Sequence, residues 1–336
     1  MKPFIHPGRQ RGVAVITALL LTALAITVVA SLFWQQQVQV RSMENQRLRL
    51  QTQWAMRGMV DFARFWLRQD NPTQTALDGV WATPIEEARL DDYVDREKVD
   101  TEKFDATVSG RALDAQARFN ISNLVAATGG INPQQVLAYQ RLLLNLRLDS
   151  GLAEVAARAV LCAKPNPRAA NGDGNTAATS MCGGREPVAF TQVEDLLAEP
   201  GYTPQVLEKL RDFVIVLPKL TAADVTAVNV NTASAEVLSA ITDMSLSEAS
   251  ALTLRKRDYA KIKKCTPEEI VKKIKCFKDD IGDKTVIDGV ESDVTSRYFL
   301  TVIRVRLDRA ALDAVALIYR QPDRERATRL VWLREN

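Results

Sequence analysis

Few residues in this sequence have side chains that commonly do chemistry. The 336-residue chain has a single histidine, His6, and four cysteines, Cys162, Cys182, Cys265 and Cys276. His6 precedes a long apolar segment, so removal of a leader there would leave no imidazole for a catalytic triad or a histidine-based metal site. No cysteine pair has the CxxC spacing typical of structural zinc sites. These residue types predict that the protein is not an enzyme.

The even number of cysteines favours disulfides if the chain is exported to an oxidising compartment. Cys162 and Cys182 flank a segment rich in Pro, Gly and Asn, which a disulfide between them would restrain. Cys265 and Cys276 are then left to pair. The sequence TPEE after Cys265 is typical of a helix start, and a continuous helix would hold these two Cα atoms about 16 Å apart, beyond the ~7 Å reach of a disulfide. Either this helix ends early or the four cysteines pair in a crossed manner.

The segment NGDGN, between the first two cysteines, is a candidate calcium site. Asn171, Asp173 and Asn175 offer oxygens at alternate positions, as an EF-hand loop does, but no glutamate follows to close the site. A glycine-rich surface loop is the alternative interpretation, and no other cofactor is required. The acidic cluster Asp91, Asp92, Asp95 could also bind calcium, but a solvated surface is the favoured interpretation. A second acidic loop, Asp279, Asp280 and Asp283, is no stronger a calcium candidate by itself.

These residues must be positioned by elements that begin with an uncharged apolar segment, Val13 to Trp34. At ~1.5 Å per residue, this segment matches the ~30 Å hydrocarbon core of a bilayer. Three basic residues precede it: Lys2, Arg9 and Arg11. They predict a cytoplasmic N-terminus and a chain whose bulk lies on the other side of the membrane.

Three interpretations of the apolar segment are open: a secretory signal cut before Ser31, a plain transmembrane anchor, or a segment cut after Gly12 and retained. Helix-compatible sequence without proline continues from Gln35 to Arg68, which favours retention because the helix does not stop at the membrane. Two apolar stripes recur along it: Val40, Met43, Leu50, Trp54 and then Ala55, Met59, Phe62, Trp66. We expect the second stripe to pack on its own domain.

The rest of the chain predicts an α+β architecture. After a surface connection over residues 70–105, the alternating segments 104–110 and 115–123 are predicted to be paired strands. From about Leu124 to Asp293 the pattern is helical, and one helix begins with an asparagine cap followed by Pro133. Three final strands are predicted at 297–307, 312–320 and 328–335, the last two joined by a turn at Pro322.

Three features together resemble the type IV pilins and the pseudopilins of type II secretion: a short basic leader ending in glycine, an apolar run directly after it, and a helix that continues into a head. The resemblance implies that a prepilin peptidase cuts after Gly12, that the new amino terminus, Val13, is N-methylated, and that the apolar segment is retained. The fifth mature residue is usually a glutamate that pairs with the amino terminus of a neighbouring subunit. Here it is Thr17. A subunit without that carboxylate fits the tip, where no subunit lies ahead.

Five motifs extend the resemblance, in order, to the minor pseudopilin K family: RGVAVITALLL, ARFNISNL, AVNVNTASAEVLSAI, SRYFLTVIRVRL and RLVWLRE. The resemblance implies a pilin-like fold, in which a long N-terminal helix packs on an antiparallel sheet that carries a large inserted all-α domain. It also implies a place at the pseudopilus tip with the minor pseudopilins I and J, and contact with secreted substrates. Members can bind calcium in the helical domain through an acidic stretch, from which this sequence departs.

This interpretation divides the chain into a cleaved leader, a transmembrane segment, the first part of the pilin-like domain, the inserted helical domain and the closing strands, at residues 1–12, 13–34, 35–123, 124–293 and 294–336. It predicts a single-pass inner-membrane protein with a cytoplasmic N-terminus and a periplasmic bulk, later found at the pseudopilus tip. The role would be non-enzymatic: to promote assembly of the pseudopilus and to cap it during export of folded proteins.

The segment NVNTASAEVLSAITDMSLSEASALTLRKR also resembles the helix-hairpin-helix motif of DNA-binding proteins. That motif uses glycines in its hairpin so that backbone N–H groups can approach a phosphate. Here the hairpin reads DMSLSEA, with Asp243 and Glu248 flanking the spot. A basic tract from Arg255 to Lys278 has ten Lys or Arg against three acids. A membrane-anchored periplasmic DNA-binding protein is therefore the alternative function, although the hairpin argues against nucleic acid.

Overall fold

The structure is a computed structural model that describes residues 11–70, 74–89, 106–127, 129–163, 182, 188–218, 225–259, 281, 284–321 and 327–335. At 11, 12 and 255–259 it describes the backbone alone. The α-helices are α1 (Arg11–Gln69), α2 (Pro133–Asn145), α3 (Leu152–Cys162), α4 (Pro204–Leu210), α5 (Ala235–Ile241) and α6 (Leu246–Tyr259). The strands are β1 (Ile85–Arg89), β2 (Ala106–Asp114), β3 (Phe119–Asn120), β4 (Val214–Ile215), β5 (Val228–Asn229), β6 (Ser292–Asp293), β7 (Tyr298–Leu307), β8 (Ala310–Arg320) and β9 (Thr328–Glu335).

Helix α1 is one continuous rod that includes both the apolar segment and the first element of the head. No proline interrupts it, and at ~1.5 Å per residue it is roughly 85–90 Å long. Every described side chain from Val13 to Gln46 is exposed. Farther along, the helix buries four large apolar side chains: Met56, Met59, Val60 and Leu67. The second predicted stripe therefore packs on the head, whereas the first stripe stays exposed.

The head is built on a five-stranded antiparallel sheet, in the order β1-β2-β7-β8-β9. Because side chains alternate between the faces of a strand, every second residue points toward α1. These residues include Val108, Ile303, Val305, Ala314 and Ala316, which pack against the buried face of α1. This arrangement of a long helix on an antiparallel sheet, with further helices, confirms the predicted α+β fold class.

The predicted pairing of residues 104–110 with 115–123 is wrong. β2 continues to Asp114 and pairs along its length with β7, from the far end of the chain. The Asp114 side chain accepts a hydrogen bond from the Gln116 N–H and caps a short 3-10 turn, which takes the chain out of the sheet. β3 then pairs in parallel with β4 instead.

Smaller differences occur at the sheet edge and in the helical region. β1 lies inside the predicted surface connection. It was not predicted as a strand because its sequence IEEAR is mostly exposed and lacks an apolar alternation. Residues Val193–Ala198, predicted as helix, form a 3-10 helix. The turn at Pro322 lies outside the described residues, although the strands on either side of it are present.

Between β2 and β7 the chain forms a helical part with its own core. The Asn132 side chain accepts hydrogen bonds from two backbone N–H groups at the start of α2, and Pro133 is the first helical residue, as predicted. Phe119 stacks on Tyr139 with ring centroids 5.4 Å apart. The Tyr139 hydroxyl lies 3.1 Å from that of Tyr202. Burial raises the pKa of both tyrosines above the ordinary value, so both hydroxyls stay neutral and can hold this bond.

The helical part lies on the sheet near the end of α1 that is farthest from the apolar segment. Ile215 and Leu217 pack on the sheet face opposite α1, against Tyr298, Leu300, Leu317 and Tyr319. At the other end of the sheet, the β7–β8 turn reaches back to α1, where Arg309 bonds Glu44 and Asn45. The sheet therefore runs along α1 and carries the helical part at its distal end.

Candidate functional site: the membrane helix, its outer face and the polar junction

The apolar part of α1 has the length and composition of a membrane span. Within the described residues, α1 is the one helix that is long and apolar enough to cross a bilayer, and its most apolar stretch is not buried in the head. The hydroxyls of Thr17, Thr22 and Thr27 each donate a hydrogen bond to a carbonyl oxygen three or four residues earlier. Such bonds satisfy polar groups inside the helix, as a hydrocarbon environment requires. By length and composition, the segment fits a single-pass membrane anchor.

The predicted processing site lies in the first turn of α1. The helix begins at Arg11, one residue before Gly12. The Thr17 hydroxyl lies 3.0 Å from both the Val13 and Ala14 carbonyl oxygens. A hydroxyl bonded in this way offers no negative charge to a neighbouring amino terminus. Cleavage after Gly12 and methylation of Val13 stay predictions.

A second feature of α1 is the outer face, which we define by five exposed apolar residues: Val40, Met43, Leu50, Trp54 and Phe65, each between 49% and 67% exposed. At 3.6 residues per turn they point away from the side of α1 that packs on the sheet. Exposed apolar residues in a row are typical of a surface that binds another protein.

The third feature is a buried polar cluster where the helical part meets the sheet. We call it the junction cluster: Asp70, Thr75, Asp114, Asn229, Thr232, Ser296 and Arg320. Asp114 lies at its centre. One carboxylate oxygen accepts hydrogen bonds from Ser296 Oγ at 2.6 Å, Asn229 Nδ2 at 2.8 Å and Thr232 Oγ1 at 2.5 Å. Burial raises the pKa of Asp114, and these hydrogen bonds oppose that rise.

Arg320 connects the junction cluster to the end of α1. Its guanidinium donates to Asp70 Oδ2 at 3.0 Å, Thr75 Oγ1 at 2.9 Å and the Ser296 carbonyl at 3.0 Å. It also lies 4.8 Å from the centroid of the Phe299 ring. The Arg320 and Asp70 side chains are only 6% and 4% exposed. The cluster thus joins α1, the sheet and the helical part through buried hydrogen bonds.

Two of the sequence motifs supply members of the junction cluster, and a third bonds to the residue that precedes one of them. AVNVNTAS contributes Asn229 and Thr232, and SRYFL contributes Ser296. FNISNL contributes Asn123, whose side chain exchanges two 2.9 Å hydrogen bonds with the backbone of Thr226. This role was not predicted from the sequence. A usable signal was present, because Asn, Ser and Thr at the ends of apolar strands need hydrogen-bond partners when buried.

The helical part contains a disulfide between Cys162 and Cys182, with an S–S distance of 2.03 Å and Cα atoms 5.4 Å apart. This is the predicted pairing of the two cysteines that flank the loop, so crossed pairing is wrong for them. Two other sets of predicted site residues lie outside the described residues: Cys265, Cys276 and Asn171, Asp173, Asn175. The described part of the chain contains no group of three or more His, Cys, Asp or Glu arranged for a metal ion.

Backbone N–H groups of the hairpin between α5 and α6 are engaged in hydrogen bonds. The N–H of Asp243 donates to the Thr285 carbonyl, and that of Ser245 to the Glu248 carboxylate. The hydrogen bonds from the Ser245 N–H and hydroxyl lower the pKa of Glu248, which also pairs with Lys284 at 3.7 Å. A phosphate approaching this hairpin would meet engaged N–H groups and a negative charge, so the geometry disfavours DNA binding. The side chains of the basic tract that follows lie outside the described residues.

Comparisons with known proteins agree with these observations. Two family models described as type II secretion system (T2SS), protein K, match residues 117–219 and 228–260. The type II secretion system protein K of Pseudomonas aeruginosa is 27% identical over 317 residues, which cover 89% of this chain and 85% of that protein. A chain from the crystal structure of the GspK-GspI-GspJ complex of the enterotoxigenic Escherichia coli type 2 secretion system has the same fold, with a TM-score of 0.59 at 16% identity, over 88% of this chain and 99% of that one. The motifs, the models and the relative are in accord, and each shows similarity to the type II secretion system protein K family.

Proposed function

We propose that this protein is a minor pseudopilin at the tip of the type II secretion pseudopilus, where it promotes assembly and caps the fibre during export of folded proteins from the periplasm. The observation that carries the proposal is the position of the helical part. It lies on the sheet at the distal end of α1, next to the junction cluster. A subunit placed above this one would meet the helical part, so stacking could not continue.

The anchor supports a defined topology for this subunit. With the basic residues before Val13 in the cytoplasm, α1 crosses the inner membrane once and the head lies in the periplasm. A prepilin peptidase then cuts after Gly12 and the amino group of Val13 is methylated. Thr17 has no carboxylate to pair with the amino terminus of another subunit, which suits a subunit with none ahead of it.

The role is mechanical rather than catalytic. The junction cluster holds the helical part rigidly on the sheet, because breaking any of its bonds would leave a buried polar group without a partner. Force along α1 would therefore reach the helical part without the two parts separating. The surface of the helical part is then the first to meet secreted substrates.

The partners in the proposal are the minor pseudopilins I and J, which appear with protein K in the name of the solved complex. The test mixes the full-length chain with full-length I and J from the same organism, in detergent, and measures the mass of the product by light scattering. The proposal expects a complex that contains one copy of each. A chain that stays alone at micromolar concentration would contradict it.

DNA binding is tested in the same preparation, because the alternative function makes the opposite prediction. Fluorescence anisotropy with a labelled 20-base-pair duplex should show only weak binding. Tight binding that falls steeply with salt would favour the DNA-binding alternative. It would also indicate that the basic tract from Arg255 to Lys278 contacts the DNA.

Calcium binding by Asn171, Asp173 and Asn175 is a separate proposal. Three oxygen donors without a closing carboxylate would give a weak site. Titration calorimetry with CaCl₂ tests it, with Asp173→Ala as the variant that should abolish the heat. No other cofactor is needed for a mechanical role.

A further inference from the structure

A glycine in the middle of α1 has no purpose within the described chain. Gly58 is exposed on the same side of α1 as the outer face, and a Cβ added to it would meet no atom within 4 Å. Glycine inside a helix is less favourable than alanine, because it has more conformational freedom to lose. Neither a turn nor a close contact of the described residues explains this unfavourable choice. Another protein that approaches this side of α1 would explain the glycine.

Two exposed side chains, Trp54 and Arg57, lie close to Gly58 in the sequence of α1. Trp54, one turn earlier, is 67% exposed. The Arg57 guanidinium lies 5.2 Å from the centroid of the Trp54 ring. We call this surface the Trp54–Gly58 notch: the ring, the guanidinium and the bare backbone of Gly58. A bare glycine backbone beside a large exposed ring leaves room for a large side chain from a helix that crosses at close range, as knobs enter holes in helix pairs.

The charges around the notch select the kind of helix that fits. From Gln35 to Gly58, α1 has four arginines and one glutamate, Glu44, and Glu44 already pairs with Arg309 at 3.4 Å. Among the described residues, no carboxylate forms a salt bridge with Arg57. A second copy of this chain would bring the same arginines into contact, and like charges repel across a helix pair. A helix that bears acidic residues would instead be attracted.

We propose that the Trp54–Gly58 notch is the closest crossing point of a helix from another minor pseudopilin. That helix inserts a bulky apolar side chain over Gly58 beside the Trp54 ring and places a carboxylate near Arg57. The inference rests on the proposed function, because it presumes a partner subunit. It also explains why the outer face is continuous with the exposed anchor, since a partner helix of the same class would run beside both.

The test uses the full-length chain in detergent and measures its dissociation constants for full-length pseudopilins I and J. Gly58→Ala should weaken binding of one of them about tenfold, and Gly58→Leu about a hundredfold, because each fills the notch. Neither variant should lower the melting temperature of the free chain, since alanine and leucine are better helix formers than glycine. Arg57→Glu should also weaken binding. Ser42→Leu is the matched control, because Ser42 is exposed and lies about 160° around the helix from Gly58.

The outcomes separate this inference from the proposed function. If the wild-type chain binds I or J and Gly58→Leu binds equally well, the notch is not the crossing point, and the proposed function stands. If Gly58→Leu abolishes self-association and leaves binding of I and J unchanged, the occupant is a second copy and the inference is wrong. If the wild-type chain binds neither protein, both the inference and the proposed function fail.

Discussion

Replacing Arg320 with methionine should reveal how strongly the junction cluster contributes to stability. Methionine keeps an unbranched side chain of similar length but removes the guanidinium. Asp70, whose side chain is 4% exposed, would lose its ion pair, and Thr75 Oγ1 and the Ser296 carbonyl would lose donors at 2.9 and 3.0 Å. Removing one partner of a buried ion pair costs about 3–5 kcal/mol. That is a large share of the roughly 5–15 kcal/mol that stabilises a typical domain.

The assay is thermal and urea unfolding of the full-length chain in detergent, followed by circular dichroism. Arg320→Met should lower the melting temperature by roughly 6–20 °C. Arg304→Met is the matched control, because Arg304 also pairs with an aspartate, Asp313, at 2.6 Å but on the exposed surface. Although this pair is shorter, its burial is slight, and solvent screening makes such pairs weak. We expect no measurable loss for the control.

A double variant tests the reason for the loss. Arg320→Met leaves the Asp70 carboxylate buried without its ion pair. Adding Asp70→Asn removes that negative charge, so the double variant should be more stable than Arg320→Met alone. The reasoning is refuted if Arg320→Met is no less stable than Arg304→Met. It is also refuted if the double variant is less stable than the single one by the full cost of a second independent loss.

Three further predictions concern the rest of the head. Burial raises the folded-state pKa of Asp114 above 3.8. The folded chain therefore holds this proton more tightly than the unfolded chain does. As a result, the contribution of Asp114 to stability falls as pH rises from about 4 through its folded pKa. The wild-type stability minus that of Asp114→Asn should therefore decrease over this range in urea titrations, and an increase would contradict the sign. Replacing Cys162 and Cys182 by serine should cost about 3 kcal/mol, because the disulfide closes a loop with a sequence separation of 20; equal urea midpoints for both proteins would argue against it. Met56→Ala, which truncates a side chain only 1% exposed, should cost about 2–5 kcal/mol, whereas the exposed Met43→Ala should cost almost nothing; similar losses for both would mean that α1 does not pack as described.

Local signals explain what the sequence predicted correctly. α1 was predictable because uninterrupted helix formers and apolar spacing act within a few turns of the chain. The start of α2 was predictable because Asn132 and Pro133 act on adjacent backbone groups. The pairing of Cys162 with Cys182 followed from the loop between them. In each case the residues that decide the structure are close in sequence.

Long-range effects explain the errors and omissions. Residues 115–123 alternate like a strand, but Asp114 caps a turn there and at the same time accepts bonds from Asn229 and Ser296, far along the chain. Periodicity contains no information about such partners. The junction cluster was missed for the same reason, because its members come from five separate segments. β1 was missed because an exposed edge strand needs no apolar face.

The exposure of the outer face is not explained by contacts within the described chain. Val40, Met43, Leu50 and Trp54 have the spacing of a buried helix face but are exposed in the described chain. Such a row of exposed apolar residues is typical of a surface that binds another protein.

The most direct test of the central claim, that this chain is a processed pseudopilin rather than a plain membrane protein, is the mass of its N-terminal peptide. The protein is expressed in its native host, extracted from the inner membrane and analysed by mass spectrometry. We predict that the mature chain begins at Val13 with one methyl group on its amino nitrogen, and that Gly12→Ala blocks this processing. A chain that begins at Met1 or at Ser31 would contradict the claim.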